Sequence, residues 1–357
     1  MNMMKYSLLL LLAIAMMLGA GCGGGGSSSG GGTGGANGSS GGTTSGSNGG
    51  TTGTTVPKSY IVRDLGTLPG GTYSFGRSIN ANGTVVGESD NGSATHAVSW
   101  QDGHIYDLGT LGADSHAQGI NDTGVVVGYS QSANGLDSHI TIFANGAVTD
   151  ITPSGSTGGV GTGINNSGAV VGHGVSGFIY QSGNFQYIGT YGSFARAISQ
   201  NGIVVGNATT ASGKDHAFSW QSGTIHDLGT LPGGESGQSI AWALNANDQV
   251  VGASDSNAGY HGFVSANGVI TDLGTLGGNS EGRGINDSGI VVGFFDTGST
   301  NHAFVWQNGI MRDLNNLIPA SSGITLNGAE GINNAGQICG TGTLGGASHA
   351  FLLSPSN

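Results

Sequence analysis

Six of the ten histidines in this 357-residue chain stand at one point of a recurring pattern: His96, His139, His216, His261, His302 and His349. Five of them are followed eleven residues later by an aspartate: Asp107, Asp150, Asp227, Asp272 and Asp313. Imidazole beside carboxylate can ligate a metal, act as a catalytic dyad, or form a hydrogen bond that fixes the imidazole tautomer. Catalysis and metal binding both require convergence on one point. Copies spread through successive repeats cannot converge, so the pattern favours a structural pair repeated once per unit. One unit lacks the histidine and has Ser176; eleven residues on, it has Tyr187 instead of aspartate. Both members vanish together, as partners should.

The units that carry these pairs open at Asp64, Asp107, Asp150, Tyr187, Asp227, Asp272 and Asp313, a spacing of 37 to 45 residues. Each reads as four short strands. In the copy at residues 280–314, Ser280 to Ile285 is a strand and Asn286-Asp-Ser-Gly289 a tight turn. Gly289 supplies the positive φ such turns need. Ile290-Val-Val-Gly293 is a second, β-branched strand. His302 to Trp306 and Ile310 to Leu314 form a hairpin, in which the eleven-residue spacing brings histidine and aspartate nearly opposite each other. No segment beyond residue 22 has helical periodicity. Seven repeats of four antiparallel strands predict an all-β, seven-bladed β-propeller.

The ends of the repeat array fit a closed ring. The last unit stops after His349-Ala-Phe-Leu-Leu353, without a fourth strand, while Tyr60-Ile-Val-Arg-Asp-Leu65 precedes the first unit as an orphan strand. Joining the two completes the last blade, gives His349 the partner Asp64, and removes the exposed edges of an open array. The triplets His216-Ala-Phe, His302-Ala-Phe and His349-Ala-Phe, with Gly-Ile-Asn, Val-Val-Gly and Asp-Leu-Gly-Thr-Leu segments, resemble the HAF repeat family of extracellular bacterial proteins over residues 59–357. His96-Ala-Val, His139-Ile-Thr, His261-Gly-Phe and Ser176-Gly-Phe depart from the pattern. The resemblance implies an exported location and carries no catalytic residues.

Other constellations have plainer readings. The Asn-x-x-Gly segments at Asn121, Asn286 and Asn333 contain at most one carboxylate each, too few for calcium, and read as turns. There is no zinc spacing, no His-Glu-x-x-His and no phosphate loop, so no metal, cofactor or catalytic residue is expected. Trp100, Trp220 and Trp306, with Tyr180, share a third-strand position and read as core between blades. Trp242 falls outside that pattern, in a first strand, where it could line the axis as a stacking platform for a sugar. Variation marks the segments joining second and third strands: 88–95, 129–138, 173–175, 207–215, 253–260, 294–301 and 341–348. Variable loops on a rigid ring are where recognition is usually carried. Phe294, Phe295, Asp296, Lys214 and Asp215, together with Trp242, are the candidate binding face. Glu235, Glu281 and Glu330, near the starts of first strands, are the carboxylates that could converge if the chain were an enzyme.

The N-terminal part concerns location. Lys5, the apolar run Leu8 to Leu18 and the small residues Gly19-Ala20-Gly21 form a signal peptide over residues 1–21. Leu18-Gly-Ala-Gly-Cys22 resembles a lipoprotein processing site, with the leucine one place further from the cysteine than usual. Cys22 is therefore the expected lipid anchor, ordinary cleavage near Ala20 or Gly21 being the alternative. Residues 23–55 are Gly, Ser or Thr at 30 of 33 positions, so 22–58 is expected to be a disordered linker. The net charge of −12 with eight Lys and Arg excludes the basic patch that nucleic-acid binding needs. The expectation is an exported, lipid-anchored monomer that binds an extracellular glycan or protein and meets the membrane through its anchor alone. An extracellular hydrolase or lyase acting on polysaccharide or another polymer is the alternative, and a purely structural envelope protein a third reading.

Overall fold

The computed structural model describes residues 55–156, 158–189 and 192–356. The expected signal peptide, Cys22 and most of the expected linker lie outside them. Within this range the chain forms seven four-stranded antiparallel sheets, a seven-bladed β-propeller. Blade one is typical, with Ser74–Ile79, Val85–Asp90, Thr95–Gln101 and His104–Asp107. Blade seven is built from both ends of the domain: Tyr60–Asp64 pairs with Ala347–Pro355, in register from Tyr60 opposite Pro355 to Asp64 opposite Phe351. Two short 3-10 turns, Leu314–Leu317 and Ala320–Ser322, bridge blades six and seven.

The repeated motifs are explained by packing on both faces of each blade. Successive residues of a strand point to opposite faces. In Val85-Val86 the first packs with Cys339 and Ala350 of blade seven, the second with Ala117 and Phe143 of blade two. His-Ala-Phe follows the same logic: Ala217 packs toward Ala241 of blade five and Phe218 toward Val171 of blade three. Trp100 and Trp220 are buried in these layers. Cys339, standing where other repeats have valine, is fully buried.

The glycine of Val-Val-Gly has a separate cause. In every blade the first strand carries a β-bulge near its middle, and the register skips one residue there, such as Arg77 between Gly76 and Ser78. A Cβ at the glycine opposite would collide with a first-strand carbonyl: Phe75 facing Gly87, Phe194 facing Gly206, Glu281 facing Gly293.

The Asn turns between first and second strands do more than reverse the chain. Their side-chain oxygens accept from backbone amides two and four residues on, as Asn286 does from Ser288 and Ile290. Their amide groups donate to the carbonyl of the same turn in the next blade. Asn80 reaches Asn121, Asn121 reaches Asn165, Asn165 reaches Ser199, Asn245 reaches Asn286, Asn286 reaches Asn333 and Asn333 returns to Asn80, at 2.9–3.3 Å. The circle is interrupted between blades four and five, where Ser199 has no amide to donate.

Candidate functional site: the axial belt

All six His–Asp pairs are formed. Histidine Nδ1 lies 2.7 Å from Asp107, 2.8 Å from Asp150, 3.0 Å from Asp227, 3.0 Å from Asp272, 2.8 Å from Asp313 and, across the closure, His349 lies 2.9 Å from Asp64. The partners are diagonal rather than opposite: Val98, not His96, faces Asp107. Side chains two apart share a face, so the imidazole reaches across. A second carboxylate contact accepts the amide two residues on, for example Gly109, Gly229 and Gly274, which accounts for the Asp-Leu-Gly motif. An ionised carboxylate only accepts, so the imidazole proton sits on Nδ1. In blade three Ser176 bonds to Ile188 and Ser193, while Tyr187 faces solvent. The pairs occupy six separate blades.

The proposed binding face in the loops is corrected by the structure. The second strands run further than expected, to Asp90 and Asp296 for example, so the variable segments begin inside the sheet. Phe294 and Phe295 then point to opposite faces. Phe295 is 4 % exposed and packs with Val251, Leu273 and Phe304 in the core, so it cannot line a binding face. Asp215 is a strand residue bonded to Thr209 and Asn207, and Asp296 accepts the Gly298 amide. Lys214 is exposed at its loop tip. Glu235 lies in the loop before Ser239–Leu244, where its carboxylate accepts the Gly233 amide.

Phe294 and Trp242 belong instead to a belt around the axis. The residues at the seven bulges are Arg77, Gln118, Thr162, Arg196, Trp242, Arg283 and Glu330. Around them the motif is nearly constant; at this one position the repeats share only arginine, three times. A bulge re-aims the side chain it releases from the ladder. In blades one and two, the Arg77 guanidinium grips Glu88 through Nε at 3.1 Å and Nη2 at 2.5 Å, and His116 approaches the other carboxylate oxygen at 3.9 Å while stacking on Tyr129. Burial alone would raise the Glu88 carboxyl, but Arg77 and His116 outweigh it and hold the pKa at about 2. Burial and the Glu88 charge push the Tyr129 phenol up to about 12.

Across the axis, Trp242 of blade five lies between arginines of the flanking blades. Arg196 sits 4.0 Å and Arg283 3.8 Å from its ring centre. Trp242 is therefore covered by the protein's own cations, not left open as a sugar platform. Arg283 also pairs with Glu281 at 2.9 Å and lies 5.2 Å from the Phe294 ring. Burial raises the Glu281 carboxyl, with Glu330 adding to the rise and Arg283 opposing it. Among the described residues Arg283 Nε is buried without a hydrogen bond, which is costly in a fold otherwise well satisfied, while Glu281 Oε2 is held by the Arg283 ion pair. His173, edge-on to Phe194 at 4.8 Å, is lowered to about 4 by burial and Arg196, and is neutral.

Of the carboxylates singled out in sequence, Glu281 and Glu330 reach the belt and Glu235 does not; Glu88 went unnoticed. The signal that could have found the belt is the variable residue three places after the serine or glycine near the start of the first strand, read against Val-Val-Gly. Away from the belt, a concavity of about 370 Å³ lies between blades three and four on the Asn-turn side and is lined by uncharged groups such as Gln181, Gln200, Gln221 and Trp220. Among the described residues no three His, Cys, Asp or Glu side chains cluster as metal ligands.

No protein-family model and no curated protein matches the sequence. Solved structures do match in shape. A streptogramin B lyase superposes with a TM-score of 0.56 at 11 % identity, over 85 % of this chain and all of that one. TolB from Acinetobacter baumannii gives 0.44 at 11 % identity, over 84 % of this chain and 63 % of that one, and Trypanosoma rangeli sialidase 0.39 at 10 %, over 79 % and 55 %. At such identity the lyase shares with this chain its propeller fold, and the fold alone.

Proposed function

We propose that the chain is an exported, lipid-anchored binding module of the HAF repeat kind that takes an extracellular glycan or protein ligand at its axial belt. One observation carries this reading: a scaffold repeated seven times keeps its packing residues nearly constant and diversifies the single position that each bulge turns out of the ladder. The His–Asp pairs, the Asn turns and the Val-Val-Gly segments all have structural work to do, whereas the mixture at the bulges builds no regular packing. The belt offers cations, carboxylates and hydrogen-bonding groups in a partly desolvated setting, where each is worth more than in open water.

The test is to replace Trp242 and Arg283 together by threonine, the bulge residue of blade three, and probe a glycan array and immobilised cell-surface proteins. Wild type should bind a defined subset, the double variant should lose it, and Asp272→Asn should retain it. Binding unchanged in the double variant, or no binding by wild type, overturns the reading. One observation favours a polymer-acting hydrolase or lyase instead: burial holds Glu281 toward the protonated form that a general acid requires. Cleavage of a polysaccharide panel that is lost in Glu281→Gln would establish that alternative in place of simple binding.

A further inference from the structure

Blades one and four carry the same construction with one substitution. Phe75 and Phe194 occupy equivalent first-strand positions, paired with Glu88 and Asn207 respectively. Two residues further on, Arg77 and Arg196 fill equivalent bulges, 5.5 Å and 5.9 Å from those rings. In blade one the arginine finds a carboxylate, bonded through two nitrogens. In blade four Arg196 Nε meets the Asn207 side-chain oxygen at 3.3 Å, a neutral acceptor. Of the three axial arginines, Arg77 pairs with Glu88 and Arg283 with Glu281; Arg196 has no salt-bridge carboxylate among the described residues. Its terminal nitrogens make no hydrogen bond there. Burial, and then the Arg283 charge, lower its basicity to about 10.

A largely desolvated guanidinium beside a second one, with carboxylates in the vicinity but none in a salt bridge with it, is costly unless an anion joins it. We propose that Arg196 anchors a carboxylate carried by a small polar ligand, which supplies the charge that blade one holds internally as Glu88. The proposal rests on the axial reading above and names its ligand chemistry. Nε is already held by Asn207 and the guanidinium plane by Trp242, so the arginine is fixed before the ligand arrives and offers its outer edge for a two-pronged contact. The Asn207 amide donates to Asp215 Oδ2 at 3.3 Å, which keeps that carboxylate one group away from the guanidinium. With Asp215 and Glu281 both nearby, one negative charge is compensated and a second is opposed. A monoanionic carboxylate therefore fits better than phosphate.

Calorimetric titration at low ionic strength with glucuronate, acetate and inorganic phosphate tests this on the folded domain. Glucuronate and acetate should bind wild type and phosphate should not; glucuronate well above acetate identifies a sugar acid, and equal affinity a simple carboxylate. Asn207→Glu restores the internal carboxylate and should weaken binding roughly tenfold or more while raising Tm. Arg196→Gln should lose binding as well, circular dichroism showing that both variants fold. Wild type indifferent to glucuronate and acetate, or Asn207→Glu binding them as wild type does, overturns the assignment. If both variants keep the glycan or protein capture that the Trp242–Arg283 double variant loses, the axial module stands and the role of Arg196 falls.

Discussion

Acid should reveal how much the propeller depends on one buried carboxylate. Glu88 is 3 % exposed, and Arg77 and His116 lower its pKa from the ordinary 4.5 to about 2. At about 1.4 kcal/mol per tenfold change in proton affinity, that depression is worth on the order of 3 kcal/mol of folding stability. A depressed carboxylate contributes fully above its unfolded pKa and loses its contribution as pH falls through the folded value. The relevant window is therefore from about pH 5 down to about pH 2. Glu88→Gln keeps the shape, removes the charge and leaves the Arg77 guanidinium without its partner. At neutral pH the variant should melt roughly 5–10 °C below wild type, given the few degrees per kcal/mol typical of large domains. Scanning calorimetry of both proteins at stepped pH isolates the pair, because every other carboxylate is common to the two. The gap in Tm should hold steady to about pH 5 and close toward about pH 2 as Glu88 takes up its proton. A gap that stays constant across this window, or no gap at pH 7, would refute the claim that the pair is ionised and stabilising.

Two further outcomes follow from the frame of the ring. Asp272→Asn weakens the charge-assisted bond from His261 while keeping an acceptor for Gly274, so thermal unfolding should show a loss of about 1 kcal/mol, with binding unaffected. Removing residues 55–66 takes Tyr60 and Val62 from the core around Phe351 and Leu353; the truncated protein should melt far lower and elute as oligomers in size-exclusion chromatography. A synthetic peptide of residues 56–66 should restore both properties, and a truncated chain that remains monomeric and stable would contradict the role given to that strand.

Much of the architecture was legible because its determinants are local. Turn residues, two-residue alternation and repeat length set blade number, and the orphan strand at Tyr60 met an unfilled place after Leu353. The His–Asp spacing was legible too, apart from its diagonal geometry, which depends on side-chain reach. The belt was not, because a bulge changes neither spacing nor composition. Its trace was in plain sight as the glycine of Val-Val-Gly, whose absent side chain makes room for the displaced carbonyl. Phe295 was misread for a related reason: one step of strand alternation separates a core position from an axial one, and the variable segment was treated as loop before its phase could be counted. The network of the Asn turns escaped notice because its partners sit about forty residues away, in the next blade.

The closure of blade seven also sets an order of events. Asp64 and His349 are 285 residues apart, so the first strand of the propeller must wait for the propeller's last strand before it can pair. The other blades are meanders of neighbouring strands and can assemble as they emerge, while the loop that joins the two ends is among the longest the chain allows and closes slowly. The final strand addition thus works as a completeness check. A chain interrupted anywhere before Phe351 keeps an open gap in its ring, and that gap marks it as unfinished to any protease or chaperone that recognises unpaired strands.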